Sequence, residues 1–179
     1  MTEDAARVSV SVAVPPAMAF EIFTNEIDRW WRRGMRFRRG GPRGGFIRLE
    51  PGVGGRLFES IDGAAGPYVH EVGRVSAWEP PHLLAFTWRA SNFAPHESTS
   101  VEVRFTQNGR GTLVSVTHSG WSSLRPDHPA RHGREGADFY RMIGLWWGDQ
   151  MRSLREHAHA HAHAHAHVHE RVSSRDSAF

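Results

Sequence analysis

Cysteine is absent from the 179-residue chain, and lysine is absent as well. Without cysteine there is no disulfide framework, no thiolate nucleophile and no cysteine-ligated zinc. Any metal site must therefore be built from histidine and carboxylate side chains. All 22 basic residues are arginine, and the formal net charge is only +3.

Long apolar runs are also missing. No segment reaches the roughly 20 apolar residues that a membrane-spanning helix needs. The N-terminal sequence MTEDAARVSV carries acidic residues where a signal peptide has a basic region. These absences predict a cytoplasmic protein with no membrane insertion. Hydrophobic residues make up 39% of the chain, which suits one domain with a substantial core.

Positive charge is concentrated in one stretch of the sequence. Eight arginines fall between Arg29 and Arg48, in a segment that is also rich in glycine. Such a cluster can attract anions or nucleic acid, but no signature of a nucleic-acid-binding fold accompanies it. We interpret the segment as a solvated loop and expect no nucleic-acid partner.

The hydrophobic pattern predicts one strand, two short helices, six further strands and a long helix. Valines alternate with small residues from Val8 to Val14, which is typical of a half-buried strand. Pro15 and Pro16 end this strand and open a helix. Asn108-Gly109 favours a hairpin between the last two strands. The predicted strands cover residues 8–14, 46–50, 56–60, 70–78, 82–89, 100–106 and 112–119, and the predicted helices cover 16–23, 26–31 and 136–158.

This order predicts an α+β fold. Six consecutive strands form an antiparallel meander, and only the long C-terminal helix is available to cover one face of the sheet. We therefore expect a curved sheet of about seven strands wrapped on that helix, in a domain spanning residues 1–156. Residues 157–179 form a histidine-rich, low-complexity tail that we expect to be disordered or a partial helical extension.

Several blocks resemble a known family. They are VSVSVAVPPAMAFEIFT, IDRWW, EPGVGGRLFE, GRVSAWEPPHLLAFTW, VEVRF, GTLVSVTHSGW and GLWWGDQM, which cover about residues 7–156. In order and spacing they are similar to the SRPBCC or START-like superfamily, also called the helix-grip fold. The closest resemblance is to the branch named for the activator of the 90-kDa heat-shock protein ATPase.

The resemblance implies a cavity between the sheet and the C-terminal helix, which members of the superfamily use for lipids, polyketides and other apolar molecules. Aromatic and aliphatic side chains at helical or alternating spacing are either core or cavity wall. The residues that we predict to line the cavity are Trp30, Trp31, Phe86, Trp88, His118, Phe139, Ile143 and Trp146.

His118 continues the apolar stripe of Val114 and Val116 at the end of the last strand. The period of two turns its imidazole toward the same side as the valines. It is a candidate to orient a polar ligand group or to act as a general acid or base. The alternative is a structural histidine bonded to a neighbouring loop carbonyl.

Glu59 shares a face with Leu57 and Ile61 if its strand is regular. A buried carboxylate there is a candidate base, or it pairs with an arginine such as Arg74 or Arg48. If Phe58 is the inward residue instead, Glu59 is exposed. The sequence leaves both registers open.

The tail places seven histidines at every second position. If the last helix continues into it, residues four apart lie on one face and can chelate zinc, nickel or copper. The alternative is a repeat without function. The candidate metal ligands are His157, His159, His161, His163, His165, His167 and His169.

Four functions are compatible with these patterns. We expect an apolar or amphipathic small molecule, of lipid, polyketide or aromatic type, to bind in the cavity, without a cofactor. A cyclase- or hydrolase-like enzyme using His118 or Glu59 is one alternative. Binding of a protein partner of chaperone or stress type is another, and a metal buffer built on the tail is the fourth. Neither the ligand's identity nor the oligomeric state can be predicted from these patterns.

Overall fold

The structure, a computed structural model, describes residues 4–40 and 45–176, and within these ranges the side chains up to residue 163. It contains the strands and helices that the hydrophobic pattern predicts, in the predicted order. They are β1 (Ala5–Val12), α1 (Pro16–Asn25), α2 (Ile27–Trp30), β2 (Phe46–Leu49), β3 (Arg56–Gly63), β4 (Gly66–Glu79), β5 (Leu83–Trp88), β6 (Thr99–Asn108), β7 (Gly111–Ser119) and α3 (Gly136–Asp176).

The seven strands form one antiparallel sheet in the order β1-β7-β6-β5-β4-β3-β2. Sequence neighbours pair throughout, except that β1 closes onto β7. Alternate residues of β6 and β7 are buried, as the period of two requires. The inward face of the sheet packs against α3, so the α+β helix-grip architecture is confirmed.

Two irregularities in β4 bend the sheet. Leu57 and Phe58 of β3 pair with Gly73 and Glu71, which leaves Val72 as an extra residue. A second irregularity lies between Val75 and Ala77. Such bulges increase local twist and let a sheet curl around a helix. The bend also leaves a space under β3 and β4 that α3 does not fill.

Helix α3 passes through residue 156, where we placed the domain boundary, and continues to Asp176. Its buried side begins at Phe139 and extends to Ala158. Gly144 and Gly148, which lie four apart, have no atom within 4 Å of the position that a Cβ would occupy. These glycines therefore do not serve close helix packing.

A buried arginine organises the segment that follows α2. The guanidinium of Arg38 is fully buried and pairs with the Asp28 carboxylate at 2.5 Å. It also donates to the backbone carbonyls of Arg32, Gly45, Asp28 and Trp31. One arginine of the basic cluster therefore holds residues 31–40 in place, whereas the sequence predicted only a solvated loop there.

Within the described parts of the chain, no helix has the length and hydropathy needed to cross a bilayer.

Candidate functional site

A cavity of about 520 Å³ lies between the curved sheet, residues 31–39, the loop after β5 and helix α3. Its wall is mostly aromatic and aliphatic, and its exposed edge includes Met35, Arg36, Arg39 and His132. This volume lies within the range of small-molecule binding sites. The apolar side chains on the wall include Trp31, Phe37, Ile47, Leu57, Val72, Trp88, Phe93, Trp121, Met142, Ile143 and Trp146.

Five of the eight side chains predicted to line the cavity do so: Trp31, Trp88, His118, Ile143 and Trp146. The other three are Trp30, Phe86 and Phe139, which are not on the wall and are buried in the packed interior.

Trp30 and Trp31 separate because α2 ends between them. Trp30 is the last helical residue, and its indole donates to the Phe23 carbonyl in the core. Trp31 has an extended backbone, and its ring stacks on Trp88 with the ring centroids 5.9 Å apart. The sequence predicts both tryptophans on the cavity wall, whereas the end of the helix turns their side chains in different directions.

His118 is buried, and both of its ring nitrogens have hydrogen-bond partners. The Trp147 indole donates to Nδ1 at 3.1 Å, so Nδ1 carries no proton. The proton of the neutral ring is therefore on Nε2, which donates to the Thr99 hydroxyl at 2.8 Å. That hydroxyl donates in turn to the Trp88 carbonyl. Burial lowers the pKa of His118 to about 3, which keeps the ring neutral.

These contacts favour a structural His118 over an acid or base. Its partners are a hydroxyl and an indole rather than the loop carbonyl that we considered. Because neither nitrogen is free, a proton transfer would have to break a buried hydrogen bond. The ring also lines the cavity, and its centroid lies 4.5 Å from that of Trp121.

Glu59 is also buried, on the face of Leu57 and Ile61. Its two oxygens accept hydrogen bonds from the backbone nitrogens of Arg39 and Gly40, both at 2.8 Å. The predicted partners are different: Arg74 pairs with Glu71, and Arg48 is exposed on the other face of the sheet. Glu59 therefore fixes the loop at the cavity edge.

The polar part of the cavity wall is positively charged. His70 is the cross-strand neighbour of Glu59, and both line the cavity. Burial lowers the pKa of His70, and the nearby charges of Arg39 and Arg89 lower it further, while Glu59 opposes them. His70 is therefore neutral near pH 7, and the two arginines supply the charge.

Trp121 lies on the cavity wall, although it is not among the residues predicted to line it. It lies in the 3-10 turn Trp121–Ser123 directly after β7, in the THSGW block. Its indole nitrogen is buried and has no hydrogen-bond partner among the described residues. No periodic pattern extends to this turn. The one sequence signal for Trp121 is therefore its place in the THSGW block.

The histidine tail forms a second cluster, away from the cavity. His157 and His161, one helical turn apart, both direct Nε2 at the Glu26 carboxylate. His159 and His163 are exposed on another side of α3. The side chains of His165, His167 and His169 lie outside the described residues, so their predicted role as ligands stays a prediction.

Burial raises the pKa of Glu26, but hydrogen bonds and charge from His157 and His161 act in the opposite direction and leave it below its usual value. Glu26 is therefore a carboxylate near neutral pH. It lies between α1 and α2, more than 130 residues from the tail in sequence.

A curved sheet gripping a C-terminal helix around an aromatic cavity defines a helix-grip protein. The chain belongs to the family of Activator of Hsp90 ATPase homolog 1-like proteins, whose model matches residues 13–140. No curated protein matches the sequence.

Solved structures with the same fold come from several organisms. An HSP90 activator from Plasmodium falciparum is 18% identical, with a TM-score of 0.56 over 84% of this chain and 92% of that one. The Aha1 dimer from Colwellia psychrerythraea is 15% identical, with a TM-score of 0.53 over 85% and 93%. Protein MLL2253 from Mesorhizobium loti is 22% identical, with a TM-score of 0.55 over 85% and 94%. At these identities the likeness establishes the fold alone.

Proposed function

We propose that this protein binds an apolar or amphipathic small molecule in the cavity between the sheet and α3. The observation that carries the proposal is the cavity of about 520 Å³ with four tryptophans, Trp31, Trp88, Trp121 and Trp146, on its wall. Burying an apolar ligand against such a wall is favourable by about 25 cal/mol per Å² of apolar surface removed from water.

Polar groups on the wall favour a ligand with one polar end. Arg39 and Arg89 give the region around His70 a positive potential that attracts an acidic group. We therefore expect a carboxylate or another acceptor at one end of an apolar body.

Catalysis is less well supported than binding. Both candidate acid–base residues, His118 and Glu59, already use their polar atoms within the protein. A general base must reach the proton that it removes. Both nitrogens of His118 are engaged inside the protein, and both oxygens of Glu59 accept hydrogen bonds from the loop at the cavity edge.

Native mass spectrometry tests the binding proposal directly. The untagged protein is incubated with hexadecanoate and with hexadecanol, which share an apolar body and differ in the charge of the head group. We expect a one-to-one adduct with hexadecanoate and a weaker one with hexadecanol. Absence of any adduct, with these two ligands and after purification from cells, would contradict the proposal.

A cavity variant shows where the adduct binds. Ile143→Trp enlarges a wall residue, whereas Leu145→Trp creates the same residue on the exposed side of α3, where Leu145 is 62% exposed. We expect the adduct to disappear in Ile143→Trp and to persist in Leu145→Trp. If the adduct persists in both variants, the ligand binds outside the cavity.

A protein partner is the second candidate, favoured by the family match and by the HSP90 activator from Plasmodium falciparum that shares the fold. The test is the ATPase rate of a purified 90-kDa heat-shock chaperone with and without this protein. An increase that saturates with added protein would support the role, and an unchanged rate would exclude ATPase activation.

A further inference from the structure

We propose that Glu26, His157 and His161 form a binding site for a divalent transition-metal ion of the zinc, copper or nickel class. This site lies outside the cavity and does not depend on the proposed function. Within the residues that the structure describes, it is the one group of three potential metal ligands whose donor atoms converge.

The donor atoms of the three residues lie close enough together to hold one ion. The Glu26 Oε2 atom lies 2.5 Å from His157 Nε2 and 2.9 Å from His161 Nε2. One ligand atom from each residue lies within 4.8 Å of the other two. In a tetrahedral site with metal–ligand bonds of about 2.0–2.2 Å, neighbouring ligand atoms are about 3.3 Å apart. Small side-chain movements therefore admit an ion between the three groups.

The backbone that carries the three ligands is anchored in the core. Ala158 is buried and Ala162 packs against the core, so the side of α3 next to the two histidines is fixed to the domain. Glu26 is held between α1 and α2, whose neighbouring residues Thr24 and Ile27 are buried. The side chains of the three ligands are 20–30% exposed, which leaves a path for the ion from solvent.

The chemistry of the donor atoms selects the class of metal ion. Two neutral imidazoles and one carboxylate suit zinc, copper(II) and nickel(II), and are poor ligands for calcium or magnesium. The set leaves at least one coordination position for water. In the absence of metal, both imidazoles direct Nε2 at one carboxylate oxygen, so metal binding replaces protons at those nitrogens.

Glu26 distinguishes this site from simple chelation by a histidine repeat. The repeat itself offers many pairs four residues apart, and any of them binds metal weakly. Among the histidines whose side chains the structure describes, the pair at His157 and His161 is the one with a carboxylate from another element beside it. A metal ion there links α3 to the α1–α2 junction and stabilises the folded state in proportion to the logarithm of its concentration.

The test is titration of the untagged, metal-free full chain with Zn²⁺ in the presence of a competing chelator. We expect one tight equivalent followed by weaker ones. Glu26→Gln, which leaves every histidine in place, should raise the dissociation constant of the tight equivalent by about tenfold or more. The double variant His157→Gln/His161→Gln should abolish it.

The exposed pair provides the matched control. His159→Gln/His163→Gln removes the same number of imidazoles from the next positions of the helix and should leave the tight equivalent intact. Zn²⁺ should also raise the melting temperature of the wild type and of this control. The increase should be much smaller for Glu26→Gln.

Two results would overturn the proposal. One is a Glu26→Gln protein that binds its first equivalent as tightly as the wild type, because the tail alone would then hold the metal. The other is a result in which His157→Gln/His161→Gln and His159→Gln/His163→Gln raise the dissociation constant of the first equivalent by the same factor. If Glu26→Gln melts far below the wild type without metal, His161→Gln replaces it in the comparison, with His163→Gln as control.

Discussion

At the scale of single residues, the buried imidazole of His118 couples stability to pH. Its pKa is about 3 in the folded protein because burial disfavours the charged ring, and about 6.5 in an unfolded chain. Between these values the unfolded chain binds a proton that the folded protein does not. His70, whose pKa is also lowered, acts in the same direction.

We therefore predict that the free energy of unfolding falls as the pH drops from 6.5 toward 3, with a contribution from His118 of about 1.4 kcal/mol per pH unit. Urea denaturation at a series of pH values measures this slope. His118→Gln should lower it, whereas His82→Gln, at an exposed turn position, should not. An unchanged slope in His118→Gln would mean that the ring is not held neutral.

Arg38 is the second residue whose environment sets its role. Its guanidinium donates hydrogen bonds to the Asp28 carboxylate and to four backbone carbonyls. A lysine ammonium has only three hydrogens and cannot make all of these bonds. We predict that Arg38→Lys lowers the free energy of unfolding by about 3 kcal/mol or more. Arg33→Lys, a 58% exposed neighbour of the same carboxylate, should change it by less than about 0.5 kcal/mol in the same denaturation experiment. Equal effects would show that burial of Arg38 is unimportant.

At the scale of elements, replacing two glycines by alanine should change the free energy of unfolding in opposite directions. A Cβ at Gly73 in β4 would lie 1.6 Å from the Thr87 carbonyl oxygen of β5, and backbone cannot move aside cheaply. We predict that Gly73→Ala lowers the free energy of unfolding by about 3 kcal/mol. Gly144→Ala, in open space on α3, should raise it by about 1 kcal/mol. Thermal and chemical denaturation check both signs, and a stabilised Gly73→Ala protein would contradict the tight β4–β5 approach.

The elements themselves were predictable from the sequence, because alternation and helical spacing are local. The cavity wall was predictable only in part. Trp31 and Trp88 follow from their elements, whereas the division between Trp30 and Trp31 depends on where a four-residue helix ends. The backbone partners of Glu59 lie about twenty residues away in a segment without any periodic pattern.

In the tail too, the local pattern was predictable and the contact with a distant residue was not. Helical spacing predicts that His157 and His161 share a face, and they do. Their third partner, Glu26, comes from a distant part of the chain, and only the packing of α3 against the α1–α2 junction brings it there. Contacts between elements of high sequence separation leave no trace in a local pattern.

At the scale of the whole molecule, a cavity of about 520 Å³ means that side chains on its wall lack packing partners on one side. Unfilled space in a protein interior costs stability. We predict that Ile143→Trp, without ligand, melts about 2–4 °C higher than the wild type, since the larger ring fills part of the space. Differential scanning calorimetry of ligand-free samples measures the shift. A lower melting temperature would indicate that the wall has no room.

The tryptophans around the cavity also have an optical consequence. The rings of Trp31, Trp88, Trp146 and Trp147 are all mutual neighbours, with centroid separations between 5.1 and 6.3 Å. At such distances the electronic transitions of the indoles couple, and the coupling depends on ring orientation. A molecule that enters beside them and turns one ring would change the near-ultraviolet circular dichroism of the whole group, so the protein carries a built-in reporter of cavity occupancy.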